Sequence, residues 1–347
     1  LSLRRQRQMC IRDRSKRGID MEEKKSLWTK LVQSVGLQKL IALIALIVIF
    51  TFFAVSSESF RSFDTAVSIL DASYYIGFLA IGVTFVIITG GIDLSIGTVM
   101  MCSAIVGGVL HTKMGWPLWL ALLAILVIGG VFGLFNGILI AKFGLPPFIA
   151  TLGTMMISRG LSSIVSNVQS VTFPLRGTGE GWYKDLFRTQ DNFPTGLIVL
   201  IVVAIIAAIV LNKTKIGRYI FAIGSNKEAT RLSGVNVIKW EGMAYVISGL
   251  LAGLAGIAYA ATYSTILPGT GNGMELDAIA GVVVGGTSLA GGVGSVVGTI
   301  IGVFIMSVLK IGLPYIDLQP HYQLFITGFV VIVAVYSDIL IRMNKKK

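Results

Sequence analysis

TGGIDLSIGT, Thr89–Thr98, sets a glycine pair and a carboxylate, Asp93, in the middle of an almost uncharged run from Ala66 to Leu110. An aspartate at the centre of a membrane helix costs roughly 2.5–3.5 kcal/mol on insertion scales, so it needs a compensating partner or a watery surface nearby. Whether that cost applies depends on the class of the chain.

Hydrophobic residues make up 54% of the 347 and charged residues 13%, against about 25% charged in soluble domains. Several apolar runs reach the roughly 20 residues needed to cross a hydrocarbon core. The expected fold is therefore an all-α polytopic membrane protein. Alternation in segments of about ten residues, the mark of an outer-membrane barrel, is absent. The 41 glycines suit helices packed through small faces. Two cysteines, Cys10 and Cys102, make no disulfide framework.

About ten apolar runs are expected to span, at roughly 38–57, 66–89, 95–111, 117–141, 147–165, 195–212, 242–261, 278–290, 293–311 and 322–341. An even number puts both termini on one side. With that side cytoplasmic, the inner face holds about 22 Lys and Arg against about 5 outside, the positive-inside pattern. The net charge of +12 then reflects membrane orientation, with no nucleic-acid partner. Residues 1–20 are read as a non-native or disordered basic arm and 21–37 as a cytoplasmic amphipathic segment. A single transmembrane permease domain follows over 38–342, with an outer loop at 166–194, a cytoplasmic loop at 213–241 and a basic tail at 343–347.

A second break, GGTSLAGGVGS at Gly285–Ser295, echoes the first: a glycine pair, a leucine two residues on, then small residues and glycine. Paired glycine-interrupted segments suggest two related halves and a substrate path built from broken helices. Candidate pathway or helix-break residues are Gly90, Gly91, Asp93, Ser95, Asn136, Thr151, Gly285, Gly286, Thr287 and Ser288. Two readings of Asp93 stay open. It either caps the following span, accepting from amides near Ile96, or lines the pathway. No intramembrane His, Glu or second nearby Asp is expected to form a proton relay with it. Asn136 and Thr151 could equally be interhelical glue, and Arg159 is expected to snorkel.

The inner loop carries NKEATRLSG, with Asn226 as a possible cap, a helical turn from Lys227 to Leu232, and Gly234 as a stop. The chain offers no engine. No Gly is followed by Lys, which excludes a Walker phosphate loop, and His111 and His321 have no zinc-ligand spacing. No metal or catalytic site is expected.

TGGIDLSIGT, FGLPPFIATLGTMMISRG, GRYIFAIGSNKEATRLSGVNV and ELDAIAGVVVGGTSLAGGVGSVVGT together resemble the membrane permease subunit of the ribose, xylose and galactoside class of ATP-binding-cassette importers. That resemblance implies a homodimer in the bacterial inner membrane, ATP and Mg on a separate cytoplasmic ATPase subunit, and an extracytoplasmic sugar-binding protein. It also implies that the inner loop docks onto the ATPase through Glu228, Ala229 and Gly234, with Arg231 and Leu232 on the same short helix; Thr230 departs from the family's usual Ala. The rival readings are an ion-coupled secondary sugar transporter and a non-transporting membrane scaffold.

Overall fold

The computed structural model describes residues 37–187 and 193–345. The arm at 1–20, the amphipathic segment up to residue 36 and the last two lysines of the tail lie outside the described residues.

The chain is helical, with a single two-stranded sheet among the described residues. The helices are α1 (Leu37–Ser56), α2 (Phe63–Ile88), α3 (Ile96–Thr112), α4 (Leu118–Gly137), α5 (Pro147–Ser166), α6 (Trp182–Phe187), α7 (Thr195–Lys213), α8 (Lys215–Ser225), α9 (Lys227–Leu232), α10 (Val237–Tyr263), α11 (Met274–Val284), α12 (Val296–Gly312) and α13 (Pro320–Lys345). A π-helical turn, Ile138–Lys142, continues α4. Among the described residues seven segments are long and apolar enough to cross a membrane, including Phe63–Ile88, Leu118–Lys142 and Val237–Tyr263.

The eighth expected span, 278–290, is corrected. Its helix, α11, covers 11 residues, Met274–Val284, and so rises only about 16 Å. The preceding stretch from Ser264 to Gly273 is without helix. Its backbone is served by α5: Arg159 Nε donates to Gly269 O at 2.8 Å, and Gly269 N donates to Ser162 Oγ at 3.1 Å. Non-helical backbone at membrane depth must be satisfied by protein in this way. Arg159 is exposed on α5, and its guanidinium gives an N–H to a carbonyl of this segment.

At the centre, α2 is buried along nearly its whole length, from Ile69 to Ile88 with Leu70 alone partly exposed, as expected of a helix apolar on every side. Beside it α4 and α10 approach through glycines, with Gly129 set against Gly249 and Gly253, Gly133 against Gly249, and Gly137 against Gly242. Small residues at four-residue spacing let backbones meet and gain dispersion where lipid gives no hydrophobic drive.

Loops gather at two ends. At one, β1 (Val171–Thr172) pairs antiparallel with β2 (Thr265–Ile266), Lys113 Nζ donates to Ser166 O at 3.1 Å, and Tyr183 Oη donates to Ala260 O at 3.3 Å. Phe173 and Tyr183 are fully buried, so the long loop after α5 folds back onto the bundle. The opposite end holds both helix breaks, the start of α1 and the α8–α9 pair.

Candidate functional site

The two breaks have the same backbone. α2 ends with Gly90 N donating to Ile87 O and Gly91 N to Val86 O; α11 ends with Gly286 N donating to Val283 O and Thr287 N to Val282 O. This is the Schellman pattern, which places the residue after the C-cap in left-handed conformation. Gly90 has φ +85° and Gly286 φ +93°, so each takes the position that glycine alone tolerates freely. The glycine pairs are thus out of register by one: Gly90 corresponds to Gly286, and Gly91 to Thr287. Sequence inspection aligned pair with pair because it had no access to φ.

In the first break Asp93 is 1% exposed and fully engaged. Oδ1 accepts from Ser95 N at 3.0 Å and Ser95 Oγ at 2.6 Å, while Oδ2 accepts from Ser248 Oγ on α10 at 3.1 Å. The amide it holds is that of Ser95, one residue before α3. Ser95 Oγ also accepts from Asn136 Nδ2 at 2.9 Å, and Asn136 Oδ1 accepts from Thr154 Oγ1 at 2.6 Å. Thr151 Oγ1 reaches Ile92 O at 3.4 Å. The break that leads into α3 is therefore joined to α4, α5 and α10 through one buried polar network around Asp93. A buried carboxylate is tolerated when its lone pairs are occupied in this way.

In the second break Ser288 N donates to Val293 O at 3.0 Å, and Thr287 Oγ1 accepts from Ser295 N at 3.4 Å. Ser295 then caps α12. Gly285 lies directly against Gly298 of α12. The two breaks also touch, since Gly292 N donates to Ile88 O at 2.9 Å.

The segment of α8 and α9 contacts both. Asn226 Oδ1 accepts from Ala229 N at 2.9 Å, capping α9, and Gly234 ends it at φ +80°. Glu228 and Arg231 pair on its surface at 2.9 Å; Leu232 is 83% exposed. Behind α9, Gly224 in the last turn of α8 packs so closely on Ile88 O that no Cβ would fit, and a Cβ there would also lie 2.5 Å from Gly292 N. Lys227 Nζ pairs with Glu241 Oε1 on α10 at 2.8 Å. One turn further along α10, the Tyr245 ring packs against Gly91. Short paths of packed backbone and side chain thus join the exposed helix to each break.

Sequence inspection missed other buried carboxylates, none of which is bonded to Asp93, whose partners are Ser95 and Ser248. Glu275, at the start of α11, is 6% exposed and accepts from Gly273 N at 3.0 Å. Its carboxylate also approaches Gly97, four residues beyond Asp93. Asp71 and Asp277 are equally buried, and Asp277 pairs with Lys310 of α12 at 3.2 Å. The signal was present: Asp71 and Lys310 each interrupt an apolar run.

Residues 65–335 match a family described as the permease component of the branched-chain amino acid transport system. The chain is 38% identical over 295 residues to the ribose import permease protein of Escherichia coli (strain K12), covering 84% of this chain and 89% of that protein. It is 37% identical over 283 residues to the galactose/methyl galactoside import permease protein of Haemophilus influenzae, with 77% and 84% covered. Against the fructose import permease protein of Bifidobacterium longum it is 37% identical over 274 residues, with 77% and 79% covered. No solved structure matches it.

Proposed function

The chain belongs to this permease-component family, and on that premise we propose that it is the membrane subunit of an ATP-binding-cassette importer and forms the path for a monosaccharide. The relatives named for ribose, galactose and fructose import support a sugar over the amino acid of the family description. The chain itself hydrolyses nothing; ATP and Mg act on a separate cytoplasmic ATPase. A second copy of the chain and an extracytoplasmic sugar-binding protein complete the assembly in the bacterial inner membrane, both termini facing the cytoplasm.

The observation that carries the coupling role is the contact of α8 and α9 with both helix breaks. Docking at Glu228, Ala229, Arg231, Leu232 and Gly234 moves the loop as a unit. Through Gly224 and Lys227 the displacement reaches Ile88, Gly292 and the Asp93 network. Gly90, Gly91, Asp93, Ser95, Asn136, Thr151, Gly285, Gly286, Thr287 and Ser288 are then the elements that repack between outward- and inward-open states. Two such packings, biased by nucleotide on one side and loaded binding protein on the other, are what import requires.

The test is purification of a tagged chain coexpressed with its neighbouring genes. A stoichiometric ATPase partner and ATP-dependent sugar uptake in vesicles are expected. A lone chain driving ion-dependent uptake would identify a secondary carrier instead.

A further inference from the structure

Apart from the breaks, a second polar cluster lies among α2, α10, α11, α12 and α13. Lys310 Nζ is 3.2 Å from Asp277 Oδ2, which also accepts from Gln323 Nε2 at 3.4 Å. The same ammonium stands 5.6 Å from the centre of the Tyr75 ring. Tyr75 is edge-on to Tyr259 at 5.2 Å and to Tyr263 at 6.1 Å, and Tyr259 lies tilted on Tyr263 at 4.5 Å. Asp71 lies one turn before Tyr75 on α2 and is buried.

The cluster is graded in exposure. Tyr75 is fully buried, whereas Tyr263 is 45% exposed and the Lys310 side chain 22%. A lysine within a span is costly unless it faces protein or a water-filled cavity. Asp277 balances its charge but leaves the exposed aromatic face beside it unexplained. The arrangement offers a broad apolar ring face next to an ammonium donor, a carboxylate acceptor and an amide that does both. A monosaccharide has the complementary surface: a face of C–H groups with a rim of hydroxyls. Anions are disfavoured, since the one cation is already paired and Asp71 adds negative charge. Among the described residues no His, Cys, Asp and Glu group could hold a metal ion.

We propose that Tyr263, Lys310, Asp277 and Gln323 form a monosaccharide subsite, with the sugar face on the exposed Tyr263 ring and its hydroxyls on the other three. This rests on the reading of the chain as a sugar-importer permease. The subsite is weak by construction, because a path must release what it binds. It gives the membrane subunit its own contact with the sugar, in addition to that of the binding protein.

Saturation-transfer NMR on the detergent-purified permease–ATPase assembly, without binding protein, tests this with ribose, galactose and fructose in turn. Transfer to sugar C–H protons is expected for at least one of them. It should fall about fivefold in Tyr263→Leu and about threefold in Gln323→Ala, and persist in Tyr263→Trp, which keeps an aromatic face. Equal transfer in wild type, Tyr263→Leu and Gln323→Ala overturns the subsite. So does absence of transfer from all three sugars in an assembly whose ATP hydrolysis the binding protein stimulates. Transfer lost in the variants from an assembly showing no such stimulation would keep the subsite and remove the importer reading.

Discussion

The amide of Gly292 donates to the carbonyl of Ile88 at 2.9 Å, tying the second helix break to the last residue of the helix that precedes the first. Ile88 O would otherwise be an orphan at a helix C-terminus. Gly224 packs over the same carbonyl, so α8 and both breaks meet at one peptide. At this peptide a displacement of α8 bears on both breaks at once.

Leu232→Asp tests the docking face. An apolar side chain this exposed on a six-residue helix has no folding role to lose, whereas anchors at interfaces are worth about 2 kcal/mol or more, roughly a thirtyfold change in affinity. The ATPase should no longer copurify, while the variant reaches the membrane at wild-type level. Retention of the ATPase would move docking elsewhere.

Asp93→Asn should reduce uptake less than Asp93→Ala. Asn keeps a carbonyl for the Ser95 amide, whereas Ala leaves the donors of Ser95 and Ser248 unpaired at about 1–3 kcal/mol each. Equal loss of uptake in two well-inserted variants would show that the charge, and not the cap, is what matters.

Arg159→Met removes the donor that holds Gly269 O and should loosen the segment between α10 and α11. Maleimide labelling of a cysteine at position 270, introduced as Thr270→Cys, should rise on the order of tenfold, the equivalent of losing one hydrogen bond to a charged group. Unchanged labelling would mean that Ser162 suffices.

Much of this was legible because membrane helices announce themselves by length and glycine breaks by composition. The ends of α9 followed from Asn226 and Gly234, whose cap and stop chemistry is local. What stayed hidden was long-range. The partner of Asp93, Ser248, lies 155 residues away, and nothing near either residue points to the other. The one-residue offset between the breaks depends on φ at Gly90 and Gly286, while the letters pair more naturally as Gly-Gly with Gly-Gly. The run at 278–290 read as a span because apolar composition persists past Val284, although the helix ends there at a Schellman turn. The bond from Arg159 to Gly269 O, 110 residues away, stayed hidden because a non-helical segment needing a donor has no sequence signature.

The contact at Gly224 tests the central claim most directly. Gly224→Ala puts a methyl group where Ile88 O and Gly292 N leave no room, so α8 must shift off the breaks while α9 keeps its docking face. The measurement is the number of sugar molecules imported per ATP hydrolysed, in proteoliposomes carrying the assembly with its binding protein. The expected result is a bound ATPase that still hydrolyses ATP with the ratio reduced on the order of tenfold, as for a coupling free energy of about 1–3 kcal/mol. An unchanged ratio in Gly224→Ala would contradict the account, because the contact of α8 with both breaks would then not be what couples docking to transport.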